Sequence, residues 1–448
     1  MQAHMKVSLP ADQQITPNGK KRLVIGVVLM ICGILLATCG LLLIRAGNTG
    51  IQEAGNKSQE DLETAIALYE ETAGSVSLSD VFFSSGQRSS MASIKFRDSM
   101  AYGGIIITLL GFATLIAGIS QIEPRIIKFL LDHAIIVGIV LIAIIVGAAR
   151  ANFISEPNFR NLLSNTAVRF IIAVGVSGCL ITRGTDLSAG RVAGLAACIS
   201  AILLQRTDYV NKFYKNLGDL PIVLVFLIVL AVCAFIGAVN GTVVSILKVP
   251  PFIATLGMQT LVYGICLVYT GAEPIGSLRQ DYGNLATGYV GTRLFSYFAF
   301  IALAIGCLMW FLYNMTRHGK FMYAIGGNEN AAEVAGVNVS KTKILIYMLA
   351  ACLYGTCGFL LAARSGGASV NTAMGYELEA IAGCTIGGVS VSGGVGKISG
   401  ILIGVLVFEL LKIALQFLGV KTEYTYIVQG AVIITAVALD MRKYLAKK

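Results

Sequence analysis

Long apolar stretches alternate with short polar connections along most of the 448-residue chain. A helix that crosses a bilayer needs roughly 20 mostly apolar residues, and twelve stretches approach that length. The 134–150 stretch is short for a span, and Gly387 and Gly388 interrupt the 377–391 stretch. The pattern predicts an all-α polytopic membrane protein. The predicted helices lie at 23–44, 101–120, 134–150, 164–183, 186–205, 221–247, 251–270, 295–314, 343–363, 377–391, 397–418 and 424–440.

Basic residues mark the predicted cytoplasmic side of the membrane. Residues 20–22 are all basic and precede the first apolar stretch, which is too long for a signal peptide and has no clear cleavage site, so we expect a retained helix. With the N-terminus inside, alternate crossings place the basic loop 315–342 and the basic C-terminal tail inside as well. The three basic residues of loop 206–220 fall outside, against the rule.

This topology divides the chain into an extension and a permease-like core, with both termini cytoplasmic. The 46–100 segment is acidic and rich in Ser and Gly, so it forms either a solvated loop or a small cap over the outer face. The predicted parts are the N-terminal tail 1–22, the extension 23–120 with two transmembrane helices and the outer loop 46–100, the transmembrane domain 121–440 with the cytoplasmic loop 315–342, and the tail 441–448.

Composition supports a membrane protein and argues against several other classes. The chain is 56% hydrophobic and only 13% charged, about half the charged fraction of a soluble domain. Its net charge of +10 comes from short basic clusters beside apolar stretches, so nucleic-acid binding is not indicated. All ten cysteines lie inside apolar stretches, which is typical of packing residues rather than of disulfides or zinc ligands.

Sequence motifs for catalysis and for cofactor binding are missing. The nearest match to a phosphate-binding loop has Val391 in place of the first glycine and Ile398 in place of the serine or threonine. The three histidines are far apart in sequence, and no metal-binding spacing is present. We therefore predict a protein that is not an enzyme and that needs no cofactor and no metal.

Residues 182–191 join two apolar stretches with almost no loop between them. The segment is either a tight cytoplasmic turn or a helix break at membrane depth. Gly184 would permit the backbone to break, and Asp186 would accept hydrogen bonds from the first amides of the next helix. Because a charge near the membrane is costly, we expect Asp186 to pair with Arg183 or Arg191. The segment is then either a structural cap or a part of the transport pathway.

The inner loop carries the pattern of a short helix at 325–337. Two glycines interrupt the preceding element, and Asn328 is a good residue to cap the next helix. Glu329 and Glu333 flank a face of small residues, and Gly336 is suited to end the helix in the left-handed conformation. A short amphipathic helix between two spans suits docking into a groove on another protein, although any interfacial helix has this pattern.

Glycines spaced four residues apart recur in several apolar stretches. Such spacing lets two helix backbones approach closely in lipid. The pattern is common in packed membrane bundles, so it predicts helix contacts rather than chemistry. The pairs are Gly237 and Gly241, Gly190 and Gly194, Gly396 and Gly400, and Gly400 and Gly404.

Several stretches, taken in order along the chain, resemble the ribose/galactose-type permeases of bacterial ATP-binding-cassette importers. The resemblance covers residues 125–448 and is specific to this family, but it is less specific to one sugar. The matching stretches are Leu180–Arg191, Pro251–Gly257, Ala324–Asn328, Glu333–Val339, Tyr376–Ala382 and Gly387–Gly396.

The resemblance implies a core of about ten helices, similar to the vitamin B12 importer, to which this chain adds two N-terminal helices. It implies a homodimeric permease in the inner membrane, with cytoplasmic ATPase subunits below and a soluble sugar-binding protein above. The implied cargo is galactose or methyl galactoside, with ribose or a nucleoside as the alternative. A segment similar to the family's coupling helix, which meets the ATPase, comprises Asn328, Glu329, Asn330, Ala331, Ala332, Glu333, Val334, Ala335 and Gly336.

The transport path is only weakly marked. Few charged residues lie in the core stretches, which fits a neutral, polyhydroxylated cargo. An ion-coupled secondary transporter is a second hypothesis, and it would need intramembrane acids such as Asp186, Glu377 or Glu379. A membrane-embedded enzyme is a third, but no nucleophile or metal constellation supports it. The candidate pathway residues are Arg183, Asp186, Asn240, Phe252, Thr255, Gln259 and Asn371.

Overall fold

The structure, a computed structural model, describes most of the chain from residue 134 onwards. The tail 1–22, the predicted helix 23–44, the outer loop 46–100 and most of the predicted helix 101–120 lie outside the described residues, as do the last three residues of the chain. The described residues are 134–150, 152–289 and 295–445, with three isolated helical positions at Ile107, Leu110 and Thr114.

Every regular element within these described ranges is a helix, and β-pairing there is limited to isolated bridges such as Ile275 with Ala368. This confirms the predicted all-α class. The helices are α1 (Ala134–Ala149), α2 (Glu156–Ile181), α3 (Ala189–Leu203), α4 (Ile222–Ser245), α5 (Pro251–Thr270), α6 (Gln280–Thr287), α7 (Tyr297–Met315), α8 (Arg317–Gly327), α9 (Glu329–Val334), α10 (Val339–Ser365), α11 (Tyr376–Ile386), α12 (Ile398–Phe417) and α13 (Thr422–Leu445).

The chain forms two compact units. Helix α1 belongs to the unit Met1–Phe153, and helices α2 to α13 belong to the unit Ile154–Lys448. All of the elements that form the candidate site lie in this second unit.

Helix ends follow from local side-chain and glycine chemistry. The Ser155 hydroxyl, just before α2, accepts a hydrogen bond from the Asn158 N–H (3.4 Å). Pro157 lies in the first turn of α2, where its missing N–H has no helical partner to lose. Helices α5 and α10 end at Gly271 and Gly366, which both have the positive φ that glycine adopts without strain.

Some helix bounds differ from the predicted ones. Helix α11 stops at Ile386, because the chain turns at Gly388 (φ 83°) and because Gly387 lies so close to the Gly400 carbonyl that a Cβ would collide with it. Helix α13 continues to Leu445, beyond the apolar stretch that predicted it. The short helices α6 and α8 were not predicted, since they lie in polar connections without an apolar stretch.

Helix α10 lies at the centre of the second unit and packs against α2, α3 and α4. Gly237 and Gly241 of α4 lie directly against the α10 backbone, where a Cβ would collide with the Tyr347 carbonyl and the Ile344 Cα, respectively. Because glycine has no side chain beyond its hydrogen, the two helix backbones can approach closely at these positions. The close packing that the glycine spacing predicted is therefore confirmed for this helix pair.

Six helices in the described part of the chain are long and apolar enough to cross a membrane: α2, α4, α5, α7, α10 and α12. Helix α3 is apolar but shorter. Burial differs widely among the six: 89% of the most apolar 18-residue segment of α2 is buried within the protein, but only 22% of that of α5. Several apolar, exposed helices confirm a multi-pass membrane protein.

Candidate functional site

A largely buried break at residues 182–188 separates α2 from α3. The Thr182 hydroxyl donates to the Cys179 carbonyl (2.9 Å) where α2 ends. Arg183 turns the chain with a φ of 60°. The residue with the left-handed backbone is therefore this arginine, although the sequence suggested that Gly184 would permit the break. Gly184 serves packing instead, because a Cβ there would lie 2.6 Å from the Tyr347 hydroxyl.

Asp186 lies inside this break and is 1% exposed. Its Oδ1 accepts hydrogen bonds from the Ser188 N–H (3.0 Å) and the Ser188 hydroxyl (2.6 Å). Ser188 immediately precedes α3, so the carboxylate acts one residue ahead of the helix amides that we expected it to cap. The Asn240 Nδ2 on α4 donates to the same Ser188 hydroxyl (3.0 Å). The three side chains form one buried polar chain that joins the break to α4.

The predicted ion pair of Asp186 is wrong. Arg183 donates to carbonyls at the end of α8, and Arg191 donates to the Val370 carbonyl (2.9 Å). Carbonyls at helix ends and in connections lack helical donors, so they compete well for a guanidinium. Asp186 has the Tyr354 hydroxyl of α10 beside it instead of a cation.

Thr255 fastens α5 to the break. Its hydroxyl accepts a hydrogen bond from the Leu187 N–H (3.2 Å) and lies within donating distance of two carbonyls, that of Thr185 in the break (3.0 Å) and that of Pro251 in its own helix (2.9 Å). One hydroxyl thereby contacts two backbone groups that the break leaves without helical partners. The first turn of α5 cannot shift relative to the break without losing these bonds.

Three candidate pathway residues come together at the break. Asp186, Asn240 and Thr255 are all buried there, where their side chains form hydrogen bonds between the break and its neighbours. Phe252, one turn before Thr255 on α5, is 56% exposed. Gln259 is half-buried and lies seven residues after Phe252, on the same side of α5.

Asn371 is separate from the break and is exposed in the connection between α10 and α11. The carbonyl of the neighbouring Val370 accepts the hydrogen bond from Arg191 of α3. The Arg191 guanidinium also stacks on the ring of Tyr263, 4.1 Å from its centroid, in the second half of α5. Asn371 therefore lies beside a second contact, in which Arg191 of α3 joins this connection to α5.

Residues 317–337, which we call the docking arm, comprise α8, α9 and the residues that join and follow them. The Asn328 Oδ1 accepts from the Ala331 N–H (3.1 Å) and caps α9. Gly336 follows α9 with a φ of 85°. The predicted short helix and both of its ends are therefore confirmed as local structure.

Helix α9 has one buried side and one exposed side. Ala332 is 4% exposed and packs in a small core with Ile325 of α8 and two valines that follow α9. Val334 is 90% exposed, and Asn330 and Glu333 are exposed beside it. The buried side fixes the helix to its own arm, while the exposed side is free to meet another surface.

Two further contacts attach the docking arm to the bundle. Glu329 of α9 forms an ion pair with Lys343 of α10 (2.7 Å). The Tyr323 hydroxyl of α8 donates to the Gly396 carbonyl (2.8 Å), in the turn before α12. The arm is thus held from two sides.

Four charged side chains form a buried cluster that we did not predict. Arg169 of α2 contacts Glu379 of α11 (Nε to Oε2, 2.5 Å) and Glu409 of α12 (Nε to Oε2, 3.1 Å). Lys412 of α12 contacts Glu379 (2.8 Å). Their side chains are at most 14% exposed, and two positive charges balance two negative ones, as a buried cluster requires. Four charged residues of these three helices are therefore gathered in one place.

Two Arg–Asp pairs line a polar hollow between the α3–α4 and α5–α7 connections. Arg206 pairs with Asp208, and Arg279 pairs with Asp281. Arg279 also donates to the Leu220 carbonyl (2.8 Å). The hydrogen bond from each arginine lowers the pKa of its aspartate below the ordinary value. The predicted topology puts this hollow on the outer side.

The cysteines that the structure describes are free thiols, and most are buried, in agreement with a packing role. Within the same described residues, no three His, Cys, Asp or Glu side chains lie close enough together to hold a metal ion.

Residues 158–437 match a family model described as "Branched-chain amino acid transport system / permease component". The galactose/methyl galactoside import permease protein MglC of Escherichia coli (strain K12) is 46% identical over 318 residues, which cover 70% of this chain and 94% of that protein. The protein of the same name from Haemophilus influenzae is 44% identical over 315 residues, covering 69% and 94%. The ribose import permease protein RbsC of Escherichia coli (strain K12) is 34% identical over 317 residues, covering 70% and 95%. No solved structure matches the chain significantly.

Proposed function

The chain belongs to the branched-chain amino acid transport system / permease component family, and from this premise we propose that it is the transmembrane permease subunit of an ATP-binding-cassette importer. Its cargo is galactose or a methyl galactoside, moved across the cytoplasmic membrane by alternating access. The observation that carries this proposal is the 46% identity to a galactose/methyl galactoside permease, against 34% to a ribose permease.

The cytoplasmic ATPase docks on Asn328–Gly336. Support comes from the two sides of α9, since Ala332 is buried in the arm while Val334 is 90% exposed. A solvent-exposed apolar side chain between polar neighbours suits the centre of a small protein interface. The basic residues around the arm favour a cytoplasmic side for it and for both chain termini.

A second permease copy completes the path. The α5 face that carries Phe252 and Gln259 is mostly exposed, and only 22% of the most apolar segment of this helix is buried within the chain. An exposed helix face of this kind leaves room for a second copy to pack against it. Phe252, Gln259 and the Asn371 connection then face the path between two copies, while Asp186, Asn240 and Thr255 position the helices that line it.

A soluble sugar-binding protein docks on the opposite side, over the polar hollow. Arg206 and Arg279 are held there by aspartates and a backbone carbonyl, so their positions are fixed before a partner arrives. Charged groups at the rim of an interface steer the approach of a partner and set its orientation.

The pairings of Glu379 and Asp186 argue against these two acids as the exchanging group of an ion-coupled transporter. That mechanism needs an intramembrane acid that can exchange an ion or a proton. Glu379 is held by both Arg169 and Lys412, and Asp186 accepts hydrogen bonds from Ser188. Both carboxylates have structural partners that an exchanging group would have to release.

The decisive experiment is galactose uptake into vesicles that hold the permease together with its ATPase and its binding protein. Val334→Asp should lower ATP-driven uptake by roughly 10- to 100-fold, because a charge at the centre of an interface costs about 2 kcal/mol or more. Ile154→Asp is the control, since Ile154 is 85% exposed just before α2 and lines neither the docking arm nor the polar hollow.

Uptake that follows an ion gradient without ATP would overturn the importer proposal. ATP hydrolysis that ribose stimulates and galactose does not would keep the importer and replace its cargo. Equal uptake by Val334→Asp and the control would remove α9 as the docking element.

A further inference from the structure

We propose that Arg183 is a positioning residue that couples the docking arm to the break and, through the break, to the path-lining helix α5. This inference rests on the proposed function for the role of α9. It adds a specific route by which movement at the ATPase reaches the transport path.

The first contact joins Arg183 to the docking arm. Its Nε donates to the Gly326 carbonyl (2.9 Å), and its Nη2 donates to the Gly327 carbonyl (2.6 Å). These carbonyls belong to the last turn of α8, where they have no helical donors and where the helix dipole favours a cation. Gly327 directly precedes Asn328, which caps α9. The planar guanidinium, with donors in a rigid fork, therefore fixes both the place and the direction of the residue that leads into the docking helix.

Three backbone segments meet at this contact. The Gly394 N–H, in the turn before α12, donates to the Ile181 carbonyl at the end of α2 (2.8 Å). A Cβ on Gly326 would collide with that same carbonyl, and a Cβ on Gly393 would collide with the Arg183 side chain. The ends of α2 and α8 and the turn before α12 are therefore packed without room for independent movement.

The second contact joins the break to α5. The Thr185 carbonyl and the Leu187 N–H, which follow Arg183, both bond to the Thr255 hydroxyl. Phe252 lies one turn before Thr255 and is exposed on the proposed path. A displacement of α9 that moves Gly327 must move Arg183, and the break then transmits the displacement to the start of α5, as rigid elements do in coupled transitions.

The backbone at Arg183 supports a role for its side chain. A φ of 60° is uncommon for a residue with a Cβ other than Asn or Asp. Glycine would adopt it without strain, yet only a long cationic side chain reaches the two α8 carbonyls. The position therefore holds an arginine whose backbone is strained and whose guanidinium donates two hydrogen bonds to the end of α8.

The test compares Arg183→Gln, Arg183→Lys and Lys248→Gln in the reconstituted complex. Lys248 is a matched control, because it is an exposed cation with a φ of 55°. Arg183→Gln should retain the bound ATPase and its basal hydrolysis, while sugar moved per ATP hydrolysed falls roughly 5- to 100-fold, the usual range of coupling between sites. Arg183→Lys should give a ratio of sugar to ATP between those of the wild type and Arg183→Gln, since lysine keeps the positive charge but lacks the forked donors of the guanidinium. Lys248→Gln should match the wild type.

A second readout follows α5 itself. Phe252→Cys, labelled with a water-soluble thiol reagent and quantified by mass spectrometry of the peptide that contains position 252, should change its labelling rate when ATP is added. The same substitution combined with Arg183→Gln should lose this response. If Arg183 had a purely structural role, Arg183→Gln would change the labelling rate by the same factor in the presence and in the absence of ATP, and the response to ATP would remain.

Wild-type sugar-to-ATP ratios in Arg183→Gln would overturn the inference, as would loss of the ATPase from the purified complex. An ATP response at position 252 that persists in Arg183→Gln would overturn it too. These results are separate from a failure of the docking role of α9, which would appear as undiminished ATP-driven uptake in Val334→Asp, and from a failure of the importer proposal, which would appear as uptake without ATP.

Discussion

Helices α2 and α5 have almost the same mean hydropathy, 1.5 and 1.6, yet the apolar segment of α2 is 89% buried and that of α5 only 22%. Helix α2 carries small residues where it meets its neighbours, such as Gly175 against Tyr354 of α10. Helix α5 carries large exposed side chains, such as Ile265 and Val268. Hydropathy selects both helices for the membrane, whereas side-chain size on the contact face decides which one reaches the centre of the bundle.

Helices α2 and α5 also differ in their charged residues. Arg169 of α2 is buried among carboxylates from α11 and α12, whereas the sequence of α5 contains no charged residue. A buried charge is tolerated only where other elements supply its partners. A central helix, which other elements surround, can therefore carry an ion more readily than the largely exposed helix α5.

The largest effect should come from breaking the charge cluster on the central helix. Arg169→Leu leaves Glu409 without its nearest cation and Glu379 with one partner fewer, so we expect a loss of about 3–5 kcal/mol in the free energy of unfolding. Thermal unfolding of the purified protein in detergent would measure it.

Arg206→Leu at the outer surface is the control and should unfold at the wild-type temperature. The double variant Arg169→Leu with Glu409→Leu should recover part of the loss, because Lys412 and Glu379 remain paired. If Arg169→Leu unfolds at the same temperature as the control, the cluster does not hold the three helices together.

An effect of intermediate size on stability is expected when one glycine on each helix is replaced by alanine, because the two glycines have different surroundings. Gly175→Ala on α2 places a Cβ 2.7 Å from a ring carbon of Tyr354, and such overpacking costs about 1–3 kcal/mol. Gly257→Ala on α5 meets nothing within 4 Å, so it should leave stability unchanged or raise it by up to about 1 kcal/mol through helix propensity. The same unfolding assay measures both, and equal losses would contradict the assignment of α5 to the periphery.

The smallest effect should come from the outer ion pairs, which resemble the central cluster in chemistry but are open to solvent. Arg279 lowers the pKa of Asp281, so the pair stabilises the fold above the unfolded aspartate pKa of about 3.9 and loses this contribution as the pH falls through the folded pKa. Arg279→Gln should cost only about 0.2–1 kcal/mol near pH 7 and should flatten the fall in stability between neutral and acidic pH. A pH series of unfolding temperatures checks this, and a loss as large as that of Arg169→Leu would show that solvent exposure does not weaken the pair.

Local chemistry was predictable, and distant contacts were not. Asn328 and Gly336 bound the short helix α9 as expected, because capping needs residues only a few positions away. Arg183 finds its acceptors 143 and 144 residues along the chain, so the sequence offered the nearby Asp186 as its partner, and that pairing was wrong. Glu409 and Lys412, three residues apart in one apolar stretch, were a signal that a buried charge cluster exists.

The sequence alone determined the class of this protein, since the length and spacing of its apolar stretches require helices that cross a membrane, and it determined the short helix α9 and its two ends. Tertiary structure alone decided which helices lie at the centre, which partners hold Arg169 and Arg183, and which candidate residues meet at the break. Every sufficiently apolar helix is stable in lipid, so hydropathy does not determine which helices lie at the centre of the bundle. Their positions are set by the close approach of small residues and by the pairing of buried polar groups, and both depend on residues far apart in sequence.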